Sequence, residues 1–173
     1  HHGAVGALAF AGDFIWSVGV DGVLRCVGSD GVARFSHLIQ GQGTALAVDP
    51  LVCVVGSSVG EVRAYAVRTG ELLKRIHGKA ALQHGVLTVR MLGQDVGVLL
   101  AADRASVIIA WLRQPDDGVV HRVCHFPTAG LKHVLVAYDR VLLLTAGDTL
   151  LTCGFVRSTD RTTGFAFDQH ALV

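Results

Sequence analysis

The amino-acid sequence predicts an all-β fold made of four copies of a four-stranded antiparallel meander. Three observations carry that expectation. Short apolar runs alternate with Gly or Asp punctuation at the close spacing of strand-and-turn proteins. One order of segments is written four times along the chain. Polarity is also graded within each copy, with apolar middle strands and a charged last strand.

The first copy shows the syntax most clearly. Residues 17–31 read SVGVDGVLRCVGSDG, an apolar-leaning run bracketed by Asp21-Gly22 and Asp30-Gly31. Asp-Gly is a strong hairpin signal, because Gly takes positive φ without steric cost and Asp can hydrogen-bond the turn backbone. The run between the two turns is therefore a short strand paired on both sides.

The second strands of the four copies are FIWSVGV (14–20), VCVVGSS (52–58), GVLLAAD (97–103) and VLLLTAG (141–147). Third strands follow at VLRCVGS (23–29), EVRAYAV (61–67), SVIIAWL (106–112) and TLLTCGF (149–155). A polar turn closes each copy at Gly31, Gly70, Gly118 and Gly164, a period of roughly 40–50 residues. First strands lie upstream at GALAFAG (6–12), TALAVDP (44–50), LTVRMLG (87–93) and HVLVAYD (133–139). Fourth strands lie downstream at VARFSHLI (32–39), ELLKRIHG (71–78), VVHRVCHF (119–126) and FAFDQHALV (165–173). Only residues 71–85 could pass for a helix, and their two glycines and repeat position argue for a strand.

The second and third strands are apolar almost throughout, as strands covered on both faces are. The fourth strands carry the charge, including Arg34, Lys74, Arg75, Arg122 and Asp168. That gradient matches a β-propeller blade, whose inner strands lie between neighbouring blades and whose outer strand meets water. The expected organisation is a single domain over residues 1–173, with blades at about 1–40, 41–78, 79–126 and 127–173. Three ring arrangements are open: part of a larger propeller, a half-ring completed by another chain, or a closed four-bladed ring. We expect part of a larger ring, in which case apolar blade faces at the ends of the array need a partner or a second copy.

Composition excludes several function classes. Among 173 residues, 15 Lys and Arg balance 14 Asp and Glu for a net charge of +1, so nothing favours nucleic acid or an anionic surface. No apolar stretch approaches the ~20 residues of a membrane-spanning helix, and no signal peptide is visible. The opening His1-His2 reads as a tag remnant or the cut edge of a longer protein. Cys26, Cys53, Cys124 and Cys153 sit in strand-like runs without C-x-x-C spacing. Buried free thiols in a reducing compartment are expected, which places the chain inside the cell, in the cytoplasm.

The first copy resembles a WD repeat. His1, Val5, Leu8 and Phe10 are similar to that family's His-x-x-x-Val-x-x-Leu-x-Phe lead-in, and residues 17–22 resemble its Ser-x-x-x-Asp-Gly turn. The resemblance implies a hydrogen-bond network of His1, Ser17 and Asp21 that braces the blade with a third-strand Trp. The Trp position falls on Val27, Tyr65, Trp111 and Cys153, so Trp111 is the implied network member of the third copy. Val59 stands where the second copy should have Asp, and the third copy reads Asp103-Arg104-Ala105-Ser106 without the glycine.

Little in the sequence looks like chemistry. His121 and His125, four apart on one strand, would sit ~13 Å apart and cannot chelate one ion together. His37, His77, His125 and His170 recur near fourth-strand ends as a repeat feature. GQGTAL (41–46) leads into a strand, so no helix N-terminus would face a phosphate. Arg25 and Arg63 occupy equivalent third-strand positions and read as snorkelling arginines at a blade margin. Trp16 and Trp111 read as core, and Arg90 and Thr88 are the only reactive-looking groups on the first strands.

No cofactor or metal is expected. The expected function is a non-catalytic protein–protein interaction scaffold within a larger assembly, binding other proteins, further blades or complex subunits. The expected binding rim joins the turns between second and third strands (Asp21, Val59, Arg104, Asp148) to the loops between blades (Gln42, Lys79, Gln83, Lys132). An enzyme completed by absent blades and a purely structural subunit are the alternatives.

Overall fold

A computed structural model describes residues 1–76, 85–86, 88–92, 98–102, 106–111, 121–125, 130–137, 140–156 and 166–172; side chains are described for 1–76, 85–86, 89, 130–135 and 142–150. These residues form sixteen strands and no helix. Blade 1 holds β1 (Val5–Ala11), β2 (Phe14–Gly19), β3 (Val23–Gly28) and β4 (Ala33–Leu38). Blade 2 holds β5 (Gly43–Val48), β6 (Val52–Ser57), β7 (Val62–Ala66) and β8 (Leu72–Ile76). Blade 3 holds β9 (Thr88–Leu92), β10 (Val98–Ala102), β11 (Ser106–Trp111) and β12 (His121–His125). Blade 4 holds β13 (Leu131–Ala137), β14 (Arg140–Thr145), β15 (Leu150–Val156) and β16 (Ala166–Leu172).

Each blade is an antiparallel meander in which every strand pairs only with its neighbours in sequence. The stretch 71–76 is strand in β8, so its repeat position overrides its helix-like composition. The turns between second and third strands share one geometry. Gly22, Gly60 and Asp148 each donate an amide to the carbonyl three residues back. All three have positive φ, and Asp148, at 59°, is the one non-glycine among the described residues to do so. Asp tolerates that region better than most side chains, which is how blade 4 forms the turn without Asp-Gly.

Blades pack face to face through alternate residues. The face that blade 1 turns towards blade 2 carries Trp16, Val18, Leu24 and Cys26, which meet Leu46, Cys53, Val55 and Tyr65 of blade 2. The opposite face of blade 2 carries Val52, Val54, Val62 and Ala64, which meet Val86 and Val89 at the start of blade 3. β6 is thus covered on both sides along its length, β2 is buried on the face towards blade 2 and half-buried on the other, and β4 is mostly exposed. The first strands lie innermost: β1 packs on β5, β5 on β9 and β9 on β13. A close approach at this inner edge depends on glycine, because a Cβ at Gly6 would strike the Gly43 carbonyl and one at Gly43 would strike Val18. Among the described strands, no comparable packing joins β13 back to β1.

Candidate interaction rim

The turn between β2 and β3 and the segment entering β1 are bound together by one carboxylate. Asp21 accepts from His1 Nδ1 at 2.9 Å and from the His2 amide at 2.9 Å. It also accepts from the Val23 amide at 3.2 Å and from Arg25 Nη1 at 3.2 Å. A carboxylate only accepts, so His1 carries its proton on Nδ1, and Nε2 accepts from the Ser17 hydroxyl at 2.9 Å. His1, Ser17 and Asp21, brought together on paper by the repeat pattern, are therefore joined in space.

Their connectivity is also that of a Ser-His-Asp triad, but the surroundings suit a brace. Ser17 lies mid-strand between β1 and β3, where the adjacent backbone is committed to the two ladders. A triad needs free donors aimed at a developing oxyanion. Burial works against the Asp21 charge, yet the His2 and Val23 amides and the Arg25 guanidinium outweigh it and hold the carboxyl below its ordinary 3.8. With its oxygens so engaged, Asp21 serves the blade's internal network and is not a free rim contact.

Blade 2 has Val59 at the position of Asp21 and Val55 at that of Ser17, and a different carboxylate takes over the bracing. Glu61 is buried and accepts from Arg63 Nε at 2.9 Å, from Arg75 and from the Gln40 amide at 3.3 Å. Arg63 also reaches back to blade 1, donating to the Leu38 carbonyl at 2.7 Å. Burial again disfavours the charge, and the two arginines with the Gln40 amide reverse that and hold Glu61 below 4.5. Arg25 and Arg63 are thus each paired with a carboxylate and do not simply snorkel at a margin, so they make no basic patch.

The rim runs continuously from blade 1 to the start of blade 3. Gly22 lies against the Gly41 carbonyl, and Gly41 lies against Ser58 and Val59. Gln42 and Ser58 are tied twice: the Gln42 amide donates to Ser58 Oγ at 3.0 Å, and the Ser58 amide donates to the Gln42 carbonyl at 2.8 Å. Gly85 lies against Ser58, and the Thr44 hydroxyl donates to the Val86 carbonyl at 2.7 Å. In blade 4 Lys132, which lies at the start of β13 and not in a loop between blades, meets the β14–β15 turn, its Nζ donating to Asp148 Oδ1 at 2.5 Å. Gln42, Val59, Lys132 and Asp148 are exposed on this rim.

Lys79, Gln83, Arg104 and His77 lie outside the described residues. Trp111, Arg90, Thr88, His125 and His170 lie on described strands, but their side chains are outside the description. The residues that sequence reasoning missed are Ser58, Glu61 and Gly41. The Glu-x-Arg of EVRAY carries no signal of its own for Glu61, because the bracing needs Arg75 and the Gln40 amide from separate segments. Trp16 is fully buried core, and Cys26 and Cys53 are buried free thiols. Among the described residues no group of three His, Cys, Asp or Glu could hold a metal ion. No helix among them is long and apolar enough to cross a membrane.

No protein-family model matches the chain, and no curated protein matches its sequence. Solved structures do match in three dimensions. The computationally designed Ika4 protein superposes with a TM-score of 0.73 at 16% identity, over 88% of this chain and 91% of that one. The computationally designed Ika8 protein superposes at 0.72 and 19% identity, over 88% of this chain and 46% of that one. The β-propeller domain of Myceliophteria thermophila Cps50 (Swd1) superposes at 0.74 and 14% identity, over 89% of this chain and 53% of that one. The chain thus spans about half the length of two of these propeller chains and nine-tenths of the third. Four-stranded antiparallel blades with these neighbours make the fold a β-propeller one.

Proposed function

We propose that the chain is a non-catalytic interaction module, a degenerate WD-type propeller array that holds other proteins on the rim built from its β2–β3-type turns and inter-blade loops. One observation carries this reading: the rim is continuous across blades 1 and 2, and its turns and loops are fixed to each other by hydrogen bonds at Asp21, Ser58 and Glu61. Loops held this way lose little conformational entropy on binding, so exposed side chains such as Gln42, Val59 and Lys132 keep the contact energy they make. The polar groups that could have served catalysis at Asp21 and Glu61 are consumed by bracing. The likeness to the Swd1 propeller domain supports the propeller frame, and the His1–Ser17–Asp21 network supports the WD-type assignment. An intracellular site of action fits the two buried free cysteines.

The test is affinity capture from the source cell with quantitative mass spectrometry. V59E and K132E on the rim are compared with R34E on the exposed outer strand β4. We expect one set of proteins to fall about tenfold with the rim variants, equivalent to about 1.4 kcal/mol, and to persist with R34E. Folded rim variants that keep every captured protein would overturn the reading.

A further inference from the structure

The described residues hold two Asp-Gly pairs, Asp21-Gly22 in the β2–β3 turn and Asp30-Gly31 in the β3–β4 turn, and the fold treats them oppositely. The first is locked between blades. Its side chain is 8% exposed and carries the bonds to His1, His2, Val23 and Arg25. Gly22 is buried, lies against the Gly41 carbonyl and accepts from the Ile39 amide at 2.8 Å. The second pair is held only from within its own hairpin. The Asp30 side chain is 51% exposed and accepts from the Val32 amide at 3.0 Å and from Arg34 Nη2 at 2.6 Å. Gly31 is exposed and donates its amide to the Gly28 carbonyl at 2.9 Å. A Cβ at Gly31 would meet nothing within 4 Å beyond its chain neighbours.

An Asp-Gly pair can rearrange without any catalyst. The Gly amide nitrogen attacks the Asp Cγ, an N–Cγ bond forms, a Cγ–O bond breaks, and water leaves with the amide proton. Water then opens the resulting succinimide. Opening at the main-chain carbonyl gives isoaspartate, whose main chain is one carbon longer and whose α-carboxylate becomes a branch. Glycine suits the second position because it has no Cβ to crowd the attacking nitrogen. The ring closes only when the amide is released and the backbone turns, so the local structure sets the rate. At Asp30 that means opening one exposed hairpin, whereas at Asp21 it means parting blade 1 from blade 2.

We propose that Asp30-Gly31 is a modification site, at which the folded chain converts Asp30 to isoaspartate and presents it to an isoaspartate-specific carboxyl methyltransferase, while the fold protects Asp21-Gly22. The methyl group passes from the sulfonium of S-adenosylmethionine to a carboxylate oxygen, leaving a methyl ester and S-adenosylhomocysteine. The added main-chain carbon displaces the carboxylate from Val32 and Arg34, so the β3–β4 turn loses its ties. Successive turns of a meander lie at opposite ends, so this site is apart from the β2–β3 rim. It stands whether or not that rim binds proteins.

The test is to age the folded 173-residue chain near neutral pH, with circular dichroism to confirm folding. Isoaspartate is read by peptide mapping with electron-transfer mass spectrometry, and by labelled methyl transfer using the purified methyltransferase. Each peptide is scored separately, because Asp117-Gly118 lies outside the described residues. We expect isoaspartate at Asp30 to form at least about tenfold faster than at Asp21 in the folded chain, and the two rates to agree within about threefold in denaturant. L24A empties a fully buried position between blades 1 and 2 and should speed Asp21 while leaving Asp30 unchanged. Urea just below the unfolding transition should do the same in the native sequence, whether or not L24A folds. Equal folded rates overturn the proposal, as does isoaspartate that forms at Asp30 only after unfolding. A difference that persists in denaturant also overturns it, because sequence and not the fold would then set it. So does an Asp30 rate that rises with destabilisation as steeply as the Asp21 rate.

Discussion

The imidazole of His37 on the outer strand of blade 1 stacks on the Tyr65 ring of blade 2, with centroids 4.6 Å apart and planes 20° from parallel. Phe35 lies on the other side of His37 at 6.4 Å, and Trp16 lies beyond it at 6.2 Å. Four rings thus run as a column from the middle of blade 1 across the joint to blade 2. A neutral imidazole suits this place, and a charged one would have to leave water among aromatic faces with the Arg63 guanidinium nearby.

That placement predicts a loss of stability in mild acid. Burial first, then the positive charge of Arg63, lowers the His37 pKa below 6.5 in the folded chain. The unfolded chain therefore binds the proton more readily, so the contribution is fully present above about 6.5 and declines as pH falls below it. H37F should flatten the melting temperature between pH 8 and pH 5, at no loss of stability at pH 8, because the His37 Nε2 is buried with no partner among the described residues. Thermal melts of both proteins across that range decide it, and an unchanged slope in H37F would refute the assignment.

Glu61 gives a second, more acidic window. Its folded pKa lies below 4.5, as that of Asp21 lies below 3.8, so both contribute stability above those values that is lost as pH falls through the folded ones. E61A strands Arg63, the Gln40 amide and Arg75, although Arg75 is partly exposed and can turn to water. We expect a cost of about 1–3 kcal/mol in urea unfolding, with E61Q intermediate. A fall below about 0.5 kcal/mol would show that the carboxylate does not hold the joint.

The sixteen strands were legible because Gly and Asp mark both ends of each run, and Asp21-Gly22 and Asp30-Gly31 fall at turns with positive φ at Gly22 and Gly31. The His1–Ser17–Asp21 network was legible because all three residues stand at fixed offsets in one repeat. Glu61 was not: a lone Glu at the start of a strand reads as solvated, and its burial depends on Arg75 and Gln40 from separate segments.

The inner edge of blades 1 and 2 should not tolerate even one added methyl. A Cβ at Gly43 would fall on the Val18 side chain, which is itself fully buried. G43A should cost about 1–3 kcal/mol by overpacking. L24A, which empties a fully buried position in the same joint, should cost about 2–5 kcal/mol. L73A on the exposed outer strand should stay within about 0.5 kcal/mol. Equal costs for L24A and L73A in urea unfolding would contradict the packing described between blades 1 and 2.

The two thiols at that joint set the alkaline limit. Burial pushes the Cys26 pKa up to about 11, opposed by the positive charge of Arg34. Cys53 lies well above 9.0, through burial and then the nearby Cys26 and Asp49. Because the thiolate is the reactive form and little of it exists at pH 8, both cysteines should resist alkylation in the folded chain. Labelling by iodoacetamide, followed by mass spectrometry of the Cys26 and Cys53 peptides, should match the unfolding rate and accelerate at least tenfold in denaturant. Rapid native labelling of Cys26 would refute its burial at the joint. A raised thiol pKa also means that the unfolded chain gives up its proton first, so this stabilisation is complete below about 9.0 and is lost as pH rises towards 11. With His37 acting below about 6.5, the blade 1–blade 2 joint should be most stable between those limits, and C26A should weaken the alkaline arm, leaving the share of Cys53, without changing the acid one.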